Sequence, residues 1–259
     1  LIIGLILALL YGILSPFIPL VPLMLIIVVA EFLITGGLHA DGLMDTSDGL
    51  FSGRERERKL EIMKDSRIGS FGVVAFVFVT LLKWQLLTAI PTAEFIPMAL
   101  IMMPLMSRWS LVLSIRSYPY ARKEGMGAAF ANLAPKHVIT YNTISTFFMP
   151  IVILIIGAIL YTLLYGAYSI FSVADVGYVV GLGVLVYATL GIFQINIISM
   201  IITYIINRLL NCYIVKQLGG TTGDTYGFVV EVTEVLLLFV YIIILSILSA
   251  TVASNTTMF

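Results

Sequence analysis

The chain has 259 residues, of which 60% are hydrophobic and only 11% are charged, and its mean hydropathy is +1.09. A soluble domain carries roughly a quarter charged residues, so this composition excludes an ordinary soluble protein and indicates an integral membrane protein. Fourteen Lys and Arg balance fourteen Asp and Glu, and nothing in this balance predicts a nucleic-acid partner. The single cysteine, Cys212, excludes an intrachain disulfide and a cysteine-based metal site.

A membrane span needs about 20 apolar residues, and the apolar runs predict an all-α, polytopic bundle of about seven transmembrane helices in a single domain, residues 1–259. Because the chain opens on Leu1 inside an apolar run, we expect either that the N-terminus was trimmed or that a short leader is missing. The predicted spans are roughly 1–14, 20–38, 71–90, 97–116, 145–166, 176–206 and 228–252. The longer polar segments between them are 39–70, 117–144 and 207–227.

Seven alternating spans place the three long polar segments on one side of the membrane. Most Lys and Arg residues lie in or beside these segments, whereas the short connections and the C-terminal tail contain none. The positive-inside rule therefore predicts that the polar segments and the N-terminus face the cytoplasm and that the C-terminus lies outside. We expect a multi-pass protein of the cytoplasmic membrane with its functional site on the cytoplasmic face, and a homo-oligomer is possible.

Three acids follow the second predicted span. Asp41, Asp45 and Asp48 stand at i, i+4 and i+7, which places three carboxylates on one face of a helix. Carboxylates this close repel one another, so we expect a cation to bind among them. Ligands that are all oxygen atoms favour Mg²⁺ or Mn²⁺. The alternative is a solvated helix end, but acids at a membrane boundary are usually functional. His39 is either a general base or a residue that caps the helix.

The charged stretch before the third span divides into two parts. Residues 54–59 are typical of an exposed helix with ion pairs along its surface. Lys64, Asp65 and Arg67 directly precede the third span, so we expect them at the depth of the three aspartates. Asp65 is a candidate fourth metal ligand, and Lys64 and Arg67 are candidates to bind phosphate oxygens.

Two arginines belong to the fourth span and the loop that follows it. Arg122 lies in a cationic, glycine-containing loop and is the candidate phosphate ligand there, although an ordinary positive-inside loop needs no function. Arg108 lies near the cytoplasmic end of its span, and an arginine at that depth requires an acidic partner.

Residues 218–227 contain four glycines, which favour close approach of the backbone to a ligand. Asp224, Glu231 and Glu234 follow near one face of the last helix. A helix N-terminus alone explains Asp224, but it does not explain the two glutamates deeper in the span. Acids and cations thus converge on one face of the bundle, as phosphoryl transfer requires.

The motifs resemble those of the cobalamin synthase family, the adenosylcobinamide-GDP ribazoletransferases, and they follow the family's order along nearly the whole chain. The resemblance is carried by 36–51, 60–72, Arg108-Trp109, 118–127 and 219–231. It implies a membrane enzyme that joins adenosylcobinamide-GDP to α-ribazole, or to its 5′-phosphate, with release of GMP and use of Mg²⁺.

The expected metal ligands are Asp45 and Asp48 first, then Asp41 and Asp65, and the expected catalytic residues are Asp45, Asp48, Asp65 and His39. Substrate binding is expected of Lys64, Arg67, Arg108 and Arg122, with the diphosphate held by Lys64, Arg67 and Arg122. Asp224 and Glu231 are candidates either to bind a second metal or to position the ribazole.

Two other classes of protein share part of the pattern. Asp45-x-x-Asp48-Gly49 is similar to the opening of the CDP-alcohol phosphotransferase signature, but the Ala-Arg that completes that signature is replaced by Ser52-Gly53. A cation transporter would need acids distributed through the bilayer, whereas here they crowd one face.

Overall fold

The computed structural model describes residues 1–122, 126–169 and 176–256. Within them the chain is helical, with one isolated β-bridge between Tyr120 and Thr221 and a short 3₁₀ helix at Ala93–Phe95. The α-helices in chain order are α1 (Ile2–Leu14), α2 (Leu20–Ile34), α3 (Leu38–Phe51), α4 (Arg56–Ile62), α5 (Ser70–Thr88), α6 (Ile96–Ser117), α7 (Met126–Leu133), α8 (Val138–Ser169), α9 (Val176–Leu218) and α10 (Gly223–Thr256).

Five segments of the described chain are long and apolar enough to cross a membrane. They are Ser70–Thr88, Ala93–Ser117, Val138–Gly157, Phe193–Leu218 and Gly223–Ile247. The bent pair α2 and α3 raises the number to six if it forms one span, and α1 is a shorter apolar helix. The predicted all-α membrane bundle is confirmed, although the second predicted span ends early, at Ile34, and the third polar segment stays helical to Leu218.

A pair of glycines separates α2 from α3. Gly36 and Gly37 have φ angles of +62° and +71°, a conformation that favours glycine. The Gly37 N–H donates to Phe32 O at 3.0 Å and the Gly36 N–H donates to Leu33 O at 3.1 Å, which is the Schellman pattern of a helix C-terminus. The chain then turns by 88°, so α3, which carries the three aspartates, lies nearly perpendicular to α2.

The centre of the bundle is formed by α6 and α10, around which α1, α2 and α5 pack. Leu7, Ile27, Leu100 and Leu237 are almost fully buried in one apolar cluster. Gly4 lets α1 approach α6 closely, because a Cβ at this position would lie 2.7 Å from Ile101 Cα. Small residues at such contacts are typical of helix packing in membranes.

The helix α3 packs on α10 through backbone contact. A Cβ at Gly42 would lie 2.5 Å from the Asp224 carbonyl oxygen, and a Cβ at Gly227 would lie 2.7 Å from the His39 carbonyl oxygen. Below this contact, Leu43 of α3 is buried in a second apolar cluster with Val229 of α10. This packing sets the position of the aspartate-bearing face of α3 relative to the start of α10.

The short helix α4 is attached to the end of α9. Arg56 Nε donates to the Leu218 carbonyl at 2.8 Å, and the buried Lys59 ammonium donates to the Gln217 side chain. Cations at a helix C-terminus interact favourably with the helix dipole. The predicted surface ion pairing is therefore confirmed for Arg58 and Glu61, which pair at 2.7 Å in solvent. Arg56 and Lys59 instead contact the C-terminal end of α9.

We expect Gly42→Ala to separate α3 from α10, because the new methyl group meets backbone atoms that cannot rotate away. Overpacking of this kind costs about 1–3 kcal/mol, so the melting temperature of the purified protein in detergent should fall. The control is Gly12→Ala in α1, whose Cβ would meet nothing within 4 Å. Equal melting temperatures for the two variants would contradict the close contact.

Candidate active site

The three aspartates of α3 lie on one helical face with increasing burial. Asp41 is exposed in the first turn, Asp45 is half-buried, and Asp48 is buried. Burial raises the pKa of Asp45 to about 7, and the charges of Asp41, Asp224 and Asp48 add to the rise. The predicted one-face arrangement is confirmed, and it concentrates negative charge that is only partly offset by Arg122.

Asp48 caps the helix α5. Its Oδ2 accepts a hydrogen bond from the Gly69 N–H at 2.7 Å, and its Oδ1 accepts one from the Gly72 N–H at 2.9 Å. A Cβ at Gly69 or Gly72 would lie within 2.5 Å of this carboxylate, so both glycines make room for it. Asp48 thus ties α3 to the N-terminus of α5, where a carboxylate is electrostatically favoured.

The N-terminus of α10 supplies the next acid. Thr222 and Thr225 cap it reciprocally: the Thr222 N–H donates to Thr225 Oγ1 at 2.8 Å, and the Thr225 N–H donates to Thr222 Oγ1 at 3.3 Å. This arrangement matches a capping box with threonine at both places. Asp224 lies in the first turn, and the contact between Gly42 and the Asp224 carbonyl brings it against α3.

The loop after α6 brings Arg122 to the same place. The Ala121 N–H donates to Thr221 O and the Thr221 N–H donates to Pro119 O, both at 2.8 Å, so the two loops pair through their backbones. Arg122 Nη1 then lies 2.9 Å from Asp224 Oδ2. The glycine-rich segment therefore approaches another part of the backbone, because a Cβ at Gly220 would lie 2.6 Å from Pro119 O.

Arg122 has unused hydrogen-bonding capacity. Its Nε and Nη2 atoms are buried, and within the described chain neither has a hydrogen-bond acceptor. Buried polar groups without partners are costly. A guanidinium with two buried donors that lack acceptors, beside the N-terminus of α10, is well suited to bind an anion such as a phosphate. We refer to Asp41, Asp45, Asp48, Asp224 and Arg122 as the acidic site.

The chemistry of the acidic site fits a hard cation. It offers oxygen donors, and the raised pKa of Asp45 reflects negative charge that a cation would relieve. In the part of the chain that the structure describes, however, no three His, Cys, Asp or Glu side chains are arranged to enclose a metal ion. This agrees with how proteins usually hold Mg²⁺, with one or two carboxylates while substrate phosphates and water complete the shell.

The structure places Lys64, Asp65 and Arg67 in the exposed loop before α5. Asp65 Oδ2 pairs with Arg67 Nη2 at 2.9 Å, and Asp65 Oδ1 accepts bonds from Arg67 Nε and from the Arg67 backbone N–H. The hydrogen bonds from Arg67 lower the pKa of Asp65 to about 2. Arg67 therefore supplies local neutralisation of Asp65, and the metal-binding role predicted for Asp65 remains a prediction.

His39 lies in the first turn of α3 and is half-buried. Burial, followed by the charge of Arg108, lowers its pKa to about 4. The imidazole is therefore neutral at pH 7. Its backbone carbonyl forms the contact with Gly227, so His39 has a place in the packing between α3 and α10.

Arg108 and Glu231 belong to a different cluster, inside the bundle. Lys83 Nζ lies 2.7 Å from Glu231 Oε2 and 3.3 Å from Glu31 Oε2, and it also pairs with Glu234. Arg108 pairs with Glu234, whose Oε1 accepts a bond from the Ser107 hydroxyl at 2.8 Å. We call Glu31, Lys83, Arg108, Glu231 and Glu234 the buried ion network.

The buried ion network joins α2, α5, α6 and α10. The acidic partner predicted for Arg108 is Glu234. The sequence reasoning did not include Glu31, Lys83 or Glu234 among the site residues, although charges of both signs in separate apolar spans were a usable signal. Because these charges are paired with one another, the network first of all holds four helices together; the substrate-binding roles predicted for Arg108 and Glu231 remain predictions.

We expect the stability of the protein in excess EDTA to depend on pH through Asp45. Its pKa rises from 3.8 to about 7 on folding, so the folded state holds an extra proton between these values and the free energy of unfolding falls as the pH rises through them. Asp45→Asn removes this penalty. Its melting temperature should exceed that of the parent by a margin that grows from pH 4 to about 7 and is constant above; a margin independent of pH would contradict the raised pKa.

Known proteins resemble this chain over most of its length. Residues 1–242 match the family described as cobalamin-5-phosphate synthase. The adenosylcobinamide-GDP ribazoletransferase of Desulforamulus reducens is 39% identical over 211 residues, which cover 81% of this chain and 69% of the relative. Those of Fusobacterium nucleatum and Acetivibrio thermocellus are both 34% identical, over 86% and 93% of this chain and 75% and 82% of each relative.

No solved structure matches the chain. The match over residues 1–242 includes the whole acidic site and the buried ion network. The chain belongs to the cobalamin-5-phosphate synthase family.

Proposed function

We propose that the protein is an adenosylcobinamide-GDP ribazoletransferase, the activity named for its relatives. In this reaction a hydroxyl of α-ribazole, or of its 5′-phosphate, forms a bond to the phosphorus attached to cobinamide. The bond from that phosphorus to GMP breaks, GMP leaves with the bonding electrons, and the hydroxyl loses its proton. The product is adenosylcobalamin or its 5′-phosphate, which completes the nucleotide loop.

The observation that carries the proposal is the pairing of an anion-binding group with carboxylates in one place. Among the residues that the structure describes, Arg122 has two buried donors without acceptors, and it lies 2.9 Å from Asp224. Asp224 is in the first turn of α10, and helix N-termini attract phosphate groups. Transfer of the cobinamide-bound phosphoryl group needs both features, because the diphosphate must be held and its charge must be offset.

Each residue of the acidic site has a proposed task. Arg122 binds the diphosphate and stabilises the charge that develops on the leaving GMP. Asp41 and Asp45 are the proposed protein ligands of Mg²⁺, or of Mn²⁺, and Asp224 orients Arg122. Bound Mg²⁺ would neutralise phosphate oxygens and make the phosphorus more electrophilic. Asp48 holds α3 against α5 and so fixes the two aspartates that precede it.

We also propose that the acidic site faces the cytoplasm. The support is the distribution of Lys and Arg, which crowd the polar segments on the side of α3 and α4 and are missing from the short connections. This orientation would place the site where a water-soluble nucleotide substrate is available.

The decisive assay measures GMP released by the purified protein in liposomes from adenosylcobinamide-GDP. We expect release to require α-ribazole and Mg²⁺, to stop when EDTA is added, and to yield cobalamin in equal amount. Folded protein that releases no GMP under these conditions but transfers label from a CDP-alcohol would replace this function with that of a phospholipid-forming transferase.

Arg122→Ala should lower kcat/KM for GMP release by roughly 10²–10³, the usual cost of losing one group that stabilises developing charge. The matched control is Arg58→Ala, which removes an exposed arginine paired with Glu61 and should leave the rate within about twofold of the parent. Equal rates in the two variants would remove Arg122 from the site.

Asp45→Asn and Asp48→Asn should have different effects on turnover and on stability. Asp45→Asn should abolish turnover in a protein that stays folded, because its carboxylate is half-buried and, within the described ranges, forms no hydrogen bond or ion pair that the substitution would break. Asp48→Asn weakens the cap of α5 and should also lower stability by about 1–3 kcal/mol. Turnover and melting temperature measured together separate the two roles; full activity of Asp45→Asn would refute the proposed metal ligand.

A further inference from the structure

A cavity of about 130 Å³ lies between α2, α3, α5 and α10, next to the buried ion network. Its walls are largely apolar and include Val29, Phe32 and Phe76, while Glu31, Lys83 and Glu231 form its charged end. An apolar cavity of about 150 Å³ has room for a ring the size of benzene. The cavity therefore accepts the apolar body of a small ligand whose polar head reaches the charged end.

The cavity is reached from the lipid side of the bundle. Val29 and Phe32 on α2 are 47% and 41% exposed, on a helix that carries no acid or base besides Glu31. In a membrane such exposed apolar residues face acyl chains. A ligand that enters here comes from the bilayer and is itself partly apolar.

The charges at the end of the cavity do not balance. Three glutamates of the buried ion network face two cations, Lys83 and Arg108. Lys83 contacts all three glutamates, so its single positive charge is shared among them and cannot neutralise each one. One carboxyl group is therefore left without a cation of its own, in a setting where an unpaired charge is costly.

The charged end of the cavity also contains a carboxylate oxygen that lacks a hydrogen-bond donor. Glu31 is 5% exposed, and among the residues that the structure describes no donor forms a hydrogen bond with its Oε1. Arg108 Nη1 lies 3.6 Å from this oxygen, beyond hydrogen-bond distance. A surplus carboxylate at the end of an apolar cavity selects a donor that carries positive charge.

We propose that this cavity binds an amphiphile with a primary ammonium head, which enters from the bilayer and places its head against Glu31 and Glu231. Its apolar body contacts Phe32 and Phe76. Ala40 of α3 also lines the cavity, so the occupant touches the helix that carries the acidic site. The site is separate from the proposed transferase function and does not rest on it.

The test uses a photoreactive diazirine derivative of n-octylammonium with the full chain in phosphatidylcholine liposomes. Labelled residues are mapped by mass spectrometry with increasing unlabelled n-octylammonium as competitor. We expect saturable labelling near Phe32 and Phe76, and labelling of Phe78, 62% exposed on the same helix as Phe76, that the competitor does not reduce. The corresponding diazirine alcohol, which has no charge, should give no saturable labelling.

Glu31→Gln should shift half-saturation to about tenfold higher concentration, since a hydrogen bond to a charged group is lost. This variant balances the buried charges, so it should fold, and Glu231→Gln provides a second test. Saturable labelling that the alcohol reproduces, or labelling at Phe76 that no competitor reduces, overturns the proposal. The difference in saturable labelling between the ammonium and the alcohol probe is measured on the unaltered chain, so it tests the proposal even where a variant fails to fold.

Discussion

The backbone contact between α3 and α10 is the constraint on which the acidic site depends. Gly42 and Gly227 let the helices meet without intervening side chains, and this brings the first turn of α10, with Asp224, against the face that carries Asp41 and Asp45. A side chain at either glycine would clash with the backbone of the other helix and so would move the carboxylates apart. The geometry of the acidic site is thus set by two residues that have no chemistry of their own.

Two charged clusters lie in very different surroundings, and the surroundings decide what each can do. The acidic site is partly solvated and holds its carboxylates near one another, so a cation or the donors of Arg122 can act on a phosphate there. The buried ion network lies among apolar helices, where charges persist because they pair. Its first effect is to fix α2, α5, α6 and α10 in one register, since breaking a pair would leave a charge alone in hydrocarbon.

Much of this arrangement could be read from the residues. The number and length of apolar runs indicated a helical membrane bundle, and the i, i+4, i+7 spacing placed Asp41, Asp45 and Asp48 on one helical face, as the structure confirms. The glycine-rich segment before Asp224 indicated close backbone approach, which occurs at Gly220 against Pro119. These features are local, because helical periodicity and glycine conformation act over a few residues.

What the sequence could not decide were the partners of each charge. Asp48 has the same spacing to Asp45 as a metal ligand would have, yet its oxygens accept bonds from Gly69 and Gly72, about twenty residues later. Lys83 and Glu31 are separated by a polar segment and meet only because α2 and α5 pack side by side. The sequence by itself determined the membrane bundle, the helices and the charges available. The tertiary structure decided which of these charges neutralise one another. Pairing depends on distances between helices, and no local sequence pattern encodes those distances.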